Sequence, residues 1–326
     1  MGQPTEQPNP GGPGWLQRHA AAMGVVAVVA LGAAGVLVVA LLSAGDRAAP
    51  TTAPDAGFSG GENTLVAVKV DNAERARPQI GLNAARYIFE TPVEGGITRF
   101  LAFFEPGDVL VGPVRSARPV DVDLVGLLAD TLVSTGGRPF VLGALRGNGI
   151  VLAGGQEGDS LLQTLERPSP HNQFVVLSDV AAGPTQGGIP VGDLPEEEAA
   201  GAVVEVGGSS RVTWTFLDGL YSRAEDDEVT MVLPDWGADP QPLTADTVIV
   251  MEVNPRSAGY VDVNGVEVPT FDVIGSGRLR VYHQNVVVEG TWWRASLEAG
   301  YIFRGDDGEA FGVPPGRTFI HLLPAN

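Results

Sequence analysis

The stretch Leu65-Val66-Ala67-Val68-Lys69-Val70 decides how the first half of the body folds. It is apolar except for one lysine, and it is rich in β-branched valine. A short run of this kind is typical of a central strand that is buried on both faces. Asp71 and Asn72 follow directly, so polar side chains are expected where the strand ends.

Short strand-like runs and two helix-like runs alternate after this strand. The segments 78–86 and 119–130 show helical spacing of apolar residues, and each opens on a proline, which suits a first helical turn. Strands interleaved with helices predict an α/β domain over residues 62–183. The predicted strands lie at residues 87–90, 99–104, 109–111, 131–134 and 173–177.

The pattern changes after a stretch rich in Gly, Pro and Glu at residues 184–201, which predicts a linker. Residues 211–216 alternate polar and apolar side chains, the period of a half-buried strand. Residues 261–268 predict a hairpin turning at Asn264-Gly265, with Val261 opposite Val268. Residues 202–326 are therefore predicted to form a mainly antiparallel β domain, and the overall fold class is α+β or α/β.

Residues 20–44 contain no charged side chain. Twenty-five helical residues span roughly 37 Å against a hydrocarbon core of about 30 Å, which predicts a single N-terminal transmembrane helix. The alternative is a cleavable signal peptide, for which Ser43-Ala44-Gly45 offers small residues. Residues 1–19 are predicted to be a disordered cytoplasmic tail and 45–61 a flexible tether. Arg18 favours this orientation, with the body extracytoplasmic.

Composition excludes several function classes. Acidic side chains outnumber basic ones by 39 to 20, and the net charge of −19 disfavours binding to nucleic acid. The chain has no cysteine, which excludes disulfides, thiol catalysis, thiolate metal sites and a lipidated cysteine. The four histidines show no metal-ligand spacing, so neither a metal nor a cofactor is predicted.

Charged side chains concentrate between residues 65 and 120, where seven bases and six acids include Glu90, Glu94, Arg99, Arg115 and Arg118. Several of them fall where strands or turns end, which is the usual position of ligand-binding residues in open α/β sheets. Arginines here either bind an anion in a cleft or belong to a buried ion-pair network that fixes the fold. The sequence leaves these two alternatives open.

Particular side chains become candidates for a site. His171 is a candidate acid, base or hydrogen-bonded turn residue. Trp292 is a candidate for stacking on a sugar ring, or for core packing. The ligand-binding candidates are Asn72, Arg99, Arg115, Ser116, Arg118, Asn172 and Trp292, and the catalytic candidates are Asp71, Glu90, Glu94 and His171.

Several longer motifs resemble one family. They are Val70-Asp71-Asn72, residues 77–82, 90–100 and 112–118, Ser169-Pro170-His171-Asn172 and Gly290-Thr291-Trp292. Together they resemble the YerB-like family, domain of unknown function 3048, over residues 64–324. The resemblance implies a bacterial envelope protein with an N-terminal and a C-terminal family domain, in a family often described as lipoproteins. This chain lacks the cysteine for a lipid, and the transmembrane helix is expected to replace it.

Two functions from different classes follow from these observations. The favoured one is a non-catalytic module, held at the membrane through residues 20–44, that binds a cell-wall glycan, a lipid-linked precursor or an envelope protein. The alternative is an envelope hydrolase or transferase acting on an anionic glycan or a phosphate-containing wall substrate. In that case the arginines bind the anion, and Asp71, Glu90 or Glu94 moves a proton.

Overall fold

The structure is a computed structural model that describes residues 63–155, 160–185, 188–195, 201–207, 210–262 and 264–325. They belong to one compact unit. The predicted tail, transmembrane helix and tether at residues 1–19, 20–44 and 45–61 lie outside the described residues. None of the helices that are described is long and apolar enough to cross a membrane. The domain boundary predicted at residues 184–201 stays a prediction.

The predicted α+β or α/β fold class was wrong, because the described part of the chain is mostly β and supplies no transmembrane helix. Only two α-helices occur among these residues, α1 (Asp121–Leu128) and α2 (Pro139–Gly147). The remaining helical segments are single 3₁₀ turns at Glu74–Ala76, Leu82–Ala84, Glu94–Gly96 and Leu177–Asp179.

Strands are the predominant regular element in the described chain. The first eleven are β1 (Asn63–Thr64), β2 (Val66–Asp71), β3 (Gln79–Ile80), β4 (Tyr87–Pro92), β5 (Thr98–Phe104), β6 (Leu110–Val111), β7 (Thr131–Val133), β8 (Val151–Ala153), β9 (Leu161–Gln163), β10 (Gln173–Val176) and β11 (Pro184–Thr185). The next seven are β12 (Val203–Val206), β13 (Val212–Leu217), β14 (Leu220–Glu225), β15 (Glu228–Val229), β16 (Met231–Leu233), β17 (Gln241–Pro242) and β18 (Thr244–Ala245). The last seven are β19 (Thr247–Val261), β20 (Glu267–Asp272), β21 (Gly275–His283), β22 (Val286–Arg294), β23 (Ile302–Gly305), β24 (Ala310–Phe311) and β25 (Thr318–Pro324).

One large sheet joins the two halves of the chain. Its strand order is β24-β23-β22-β21-β19-β25-β4-β5-β2-β7-β8, with β20 paired to β19. β2 pairs antiparallel with β5 and parallel with β7, so the prediction of a central strand is confirmed. β25 pairs parallel with both β19 and β4, so it links the two halves within this sheet.

Both faces of this sheet are covered. Along β2, Val66, Val68 and Val70 point to a core shared with Trp214 of β13, whereas Ala67 points to a core containing Leu124 of α1. Lys69 is fully buried, and in the alternation of a strand it lies on the side of α1. The two helices therefore pack on one face, and the sheets that contain β10, β13 and β16 pack on the other.

The helix predicted over residues 78–86 was wrong, while the one predicted over 119–130 is confirmed by α1. Residues 79–80 instead pair with β16 as a parallel strand. Gly81 follows at φ 80°, and a Cβ there would lie 2.3 Å from the carbonyl oxygen of Leu110. This close approach of two backbones prevents the segment from continuing as a helix.

The predicted hairpin at residues 261–268 is confirmed, but its register was wrong. Val261 pairs with Glu267 and not with Val268. Asp262 Oδ1 accepts hydrogen bonds from the backbone N–H groups of Asn264 (2.9 Å) and Val266 (2.8 Å). A side chain that caps turn N–H groups in this way favours a wider loop than the two-residue turn.

Candidate functional site

The candidate site lies where β2, β4 and β5 come together. Asp71, the last residue of β2, pairs in register with Arg99 near the start of β5. Glu94 occupies the turn between β4 and β5. Strand pairing therefore brings three predicted site residues to one edge of the sheet.

The segment that follows β6 supplies two more arginines. The backbone N–H of Arg115 donates to the carbonyl of Lys69 (2.8 Å), and the N–H of Ala117 donates to that of Gly136 (2.8 Å). Asp121 Oδ2 accepts a hydrogen bond from the N–H of Arg118 (2.6 Å), and Oδ1 pairs with Lys69 Nζ (2.7 Å). The buried lysine of the central strand thus fixes the backbone that carries Arg118.

Burial lowers the pKa of Lys69, and the neighbouring carboxylate of Asp121 opposes that shift. Both side chains are completely inaccessible to solvent. A buried charge of this kind requires a paired counter-charge. The pair therefore has a structural role, which is to support the backbone that carries Arg118.

A cavity of about 490 Å³ opens beside these side chains. One side is formed by residues that the sequence singled out, namely Glu94, Arg99, Arg115, Ser116 and Arg118. The other side comes from the hairpin of β19 and β20 and from the segment before α2, and includes Arg138, Tyr260, Asp262, Asn264, Val266 and Val268. Four arginines and two carboxylates therefore line this cavity, named here the arginine pocket.

Glu94 holds two of the arginines. Both of its oxygens accept hydrogen bonds from Arg118, with 2.8 Å between Arg118 Nε and Oε2, and Arg99 Nη2 lies 3.7 Å from Oε1. Burial works to raise the pKa of Glu94, but hydrogen bonding and charge from Arg118 outweigh it and lower the pKa to about 2. Glu94 is therefore ionised near neutral pH, which makes it unsuited to act as a general acid.

The buried positive charge of Arg99 has few hydrogen-bond and ion-pair partners. Its Nη1 donates to the carbonyl of Ser116 (2.9 Å), while its Nε is buried without a hydrogen-bond partner among the described residues. Burial, together with the positive charges of Arg118 and Arg115, lowers the pKa of Arg99 to about 10. A buried donor without a partner is costly, so an anion in the pocket would stabilise this side chain.

Asp71 positions the third arginine. Its Oδ2 lies 2.9 Å from Arg115 Nε and 2.7 Å from His171 Nδ1. The Arg115 contact is an ion pair rather than a hydrogen bond, since Nε does not meet hydrogen-bond geometry. Neither Nη group of Arg115 has a partner in the part of the chain that the structure describes, so both are available to a ligand.

The predicted cluster of acids and arginines is divided in the structure, because Glu90 belongs to a different group. It is buried and accepts hydrogen bonds from Arg223 Nη2 (2.9 Å) and Thr98 Oγ1 (2.7 Å). Asn72 joins this group, since its amide donates to Thr98 Oγ1 (2.7 Å). The structure therefore contains a buried network around Glu90 and an open pocket around Arg115, while anion binding in that pocket stays a prediction.

His321 completes the network around Glu90. Its Nε2 accepts a hydrogen bond from Trp214 Nε1 (2.8 Å), and its Nδ1 lies 3.3 Å from Glu90 Oε2. Burial lowers the pKa of His321 to about 4. An Nε2 that accepts a hydrogen bond carries no proton, so the hydrogen-bond network assigns a neutral imidazole with its proton on Nδ1.

Besides Asn72, two more predicted ligand-binding residues lie outside the arginine pocket. Trp292 is 1% exposed, packs against Tyr301 in the core beside α1, and donates from Nε1 to the carbonyl of Glu252 (3.0 Å). Asn172 is buried and donates to the carbonyl of Thr164 (3.3 Å). The structure brings neither residue to the arginine pocket, and the packing explanation for Trp292 accounts for its contacts.

Sequence reasoning does not find the second wall of the pocket. Arg138, Tyr260, Asp262 and Asn264 reach it through a long hairpin and a loop before α2. Asn264 belongs to the turn that the sequence predicts, but no local signal says which surface this turn faces. Among the described residues, no group of three or more His, Asp or Glu side chains is arranged to hold a metal ion.

Comparison with known proteins identifies the family. Residues 52–189 match the model "Protein of unknown function (DUF3048) N-terminal domain", and residues 202–320 match that of the C-terminal domain. The chain belongs to the DUF3048 family. The resemblance inferred from the sequence motifs is therefore confirmed, and in this chain both matched segments contribute strands to one large sheet.

One DUF3048 relative is "Putative lipoprotein YerB" of Bacillus subtilis (strain 168). It is 26% identical over 285 residues, covering 81% of this chain and 82% of the relative. A crystal structure of the YerB protein from Bacillus subtilis superposes with a TM-score of 0.66 at 24% identity, over 81% of this chain and 92% of that one. The superposition shows that the two proteins share a fold.

Proposed function

We propose that this protein is a membrane-attached protein of the bacterial cell envelope whose arginine pocket binds an anionic ligand without transforming it. The observation that carries the proposal is Arg115. Its guanidinium lines an open cavity, both its Nη groups are unpartnered among the described residues, and Arg99 beside it has a buried, unpartnered Nε. Carboxylates and phosphates are the groups that such donors bind best.

The proposal of an envelope location rests on the relative named a lipoprotein and on the apolar segment at residues 20–44. Attachment through that segment would place the body outside the cytoplasm, with Arg18 on the inside. Protease added to intact protoplasts tests this topology. Digestion of the body supports it, while full protection of the body in intact cells and its loss after lysis would contradict it.

A non-catalytic role fits the pocket because Glu94, which lines it, and Asp71, which contacts Arg115, are both already engaged by neighbouring side chains. Glu94 is held by Arg118 and Arg99, and Asp71 by Arg115 and His171. The observation that favours a hydrolase or transferase instead is the His171–Asp71 pair, since a carboxylate that orients an imidazole is a common acid–base arrangement. Turnover of a bound wall glycan that is lost in His171→Ala would decide for the enzyme.

Arg115→Ala is expected to weaken binding of inorganic phosphate or pyrophosphate roughly tenfold, because one hydrogen bond between charged groups is worth about 1.5 kcal/mol or more. Isothermal titration of the full chain in detergent measures the affinity. The matched control is Arg278→Ala, whose side chain is 55% exposed and pairs with Glu289 on the surface. The proposal fails if neither anion binds, or if both variants bind as the unchanged protein does.

Glu94→Gln, in the same pocket, is expected to change the affinity for these anions in the opposite direction. It removes a negative charge that competes with the ligand for Arg118 and Arg99. Affinity for the same anions is expected to rise about threefold, the scale of a partly exposed ion pair. A fall in affinity would mean that Glu94 holds the arginines in place rather than competing for them.

A further inference from the structure

The two walls of the arginine pocket differ in chemistry, and that difference bears on the ligand. The floor carries Arg99, Arg115 and Arg118, whereas the hairpin wall carries a phenol, a carboxylate, an amide and two valines. The volume of about 490 Å³ lies in the range of about 300–1,000 Å³ that is typical of small-molecule sites. A single inorganic ion would leave the hairpin wall without contacts.

Tyr260 is the fixed element of that wall. The guanidinium of Arg138 lies 5.2 Å from the centroid of its ring, and Phe140 packs edge-on at 5.2 Å. Arg138 also donates to the carbonyl of Val261 (2.8 Å), which ties the hairpin to the loop before α2. Burial raises the pKa of Tyr260, with Arg118 and Glu94 among its charged neighbours, so its hydroxyl stays protonated beside the arginine floor.

Asp262 and Asn264 add polar groups to the same wall. The Asp262 carboxylate is held in place by the hydrogen bonds that it accepts from backbone N–H groups of the turn. Both Asp262 and Asn264 line the cavity. A carboxylate opposite an arginine floor disfavours a uniformly anionic ligand, because charge at that end would be repelled. An alkyl chain is equally disfavoured there, since it would bury these polar groups without hydrogen-bond partners.

We infer that the pocket binds a sugar carrying one carboxylate or phosphate. The acidic group would pair with Arg99 and Arg115. The hydroxyls would hydrogen bond to Asp262 and Asn264, and the apolar face of the ring would pack against Val266 and Tyr260. This inference rests on the proposed function, because it names the class of ligand for the same pocket.

The test compares whole ligands with their separate parts, on the full chain in detergent by isothermal titration. N-acetylmuramic acid and N-acetylglucosamine 1-phosphate supply a ring with an acidic group. N-acetylglucosamine supplies the ring alone, and lactate and inorganic phosphate supply the acidic group alone. At least one acidic sugar is expected to bind about tenfold more tightly than either of its parts, and the better of the two identifies a carboxylate or a phosphate source.

Tyr260→Ala is expected to remove that tenfold advantage, and an unchanged far-UV circular dichroism spectrum is the check that the variant is folded. Arg115→Ala should weaken acidic sugars and phosphate alike. If phosphate binds and the acidic sugars bind no better, the sugar inference is overturned and the proposed function stands. If no anion binds, both the proposed function and the sugar inference fail. Tighter binding of neutral N-acetylglucosamine, or of an acidic peptide, would also overturn the inference.

Discussion

Arg223→Ala is expected to lower the free energy of unfolding by about 3–5 kcal/mol, which is the cost of removing one partner from a buried ion pair. Arg223 is fully buried, and its Nη2 pairs with Glu90 at 2.9 Å and with Glu225 at 3.0 Å. Its Nη1 donates to Thr230 Oγ1 at 2.7 Å. Without the guanidinium, Glu90 would keep its charge in the core or take up a proton there.

Urea unfolding of the full chain in detergent, followed by tryptophan fluorescence, measures this loss. The control is Arg211→Ala, an arginine just before β13 that is 55% exposed and pairs with Asp227. Exposed pairs contribute about 0–1 kcal/mol, so the control should be nearly neutral. Equal effects of the two substitutions would show that the buried network contributes little to stability.

Acidification is expected to destabilise the protein through His321. Burial is the largest cause that lowers the pKa of this imidazole to about 4 from its ordinary 6.5, the charge of Arg223 lowers it further, and Glu90 and Glu225 act in the opposite sense. The unfolded chain therefore binds a proton that the folded chain does not, between those two values. The stability contributed by the neutral form is complete above about pH 6.5 and is lost as the pH falls towards about 4.

The expected loss from His321 is about 2 kcal/mol between about pH 7.5 and about pH 5. Since other groups also titrate in this window, the measurement is the difference in unfolding free energy between the unchanged protein and His321→Gln at both pH values. That difference should shrink by about 2 kcal/mol on acidification. A difference that stays constant with pH would show that the imidazole is already charged in the folded protein.

The strands could be predicted from the sequence because their signal is local. The run 65–70 is apolar and β-branched whatever surrounds it, and it forms a central strand as expected. The helix over 78–86 could not be rejected, since the backbone that packs closely against Gly81 belongs to Leu110, nearly thirty residues away. The small helix content of the whole body was likewise hidden, because no local pattern reveals that short segments will pair into additional sheets.

Some residues of the candidate site could be predicted from the sequence, and others could not, for the same reason. Glu94, Arg99, Arg115 and Arg118 were predicted together because they lie close in sequence and at the ends of neighbouring strands. Glu90 belongs to the same segment, but its partner Arg223 is 133 residues away and draws it into a separate network. Tyr260 reaches the pocket only through the long hairpin, so the half of the site that selects among anions could not be predicted.

The position of β25 has a consequence for how the protein is made. This strand lies between β19 and β4, yet it comes last among the described strands. Until residues 318–324 have been synthesised, β19 and β4 cannot pair with β25, so β4 has an unpaired edge. Such an edge invites pairing with other chains. The large sheet can therefore be completed only after β25 has been synthesised, so its two halves stay unjoined within this sheet until then.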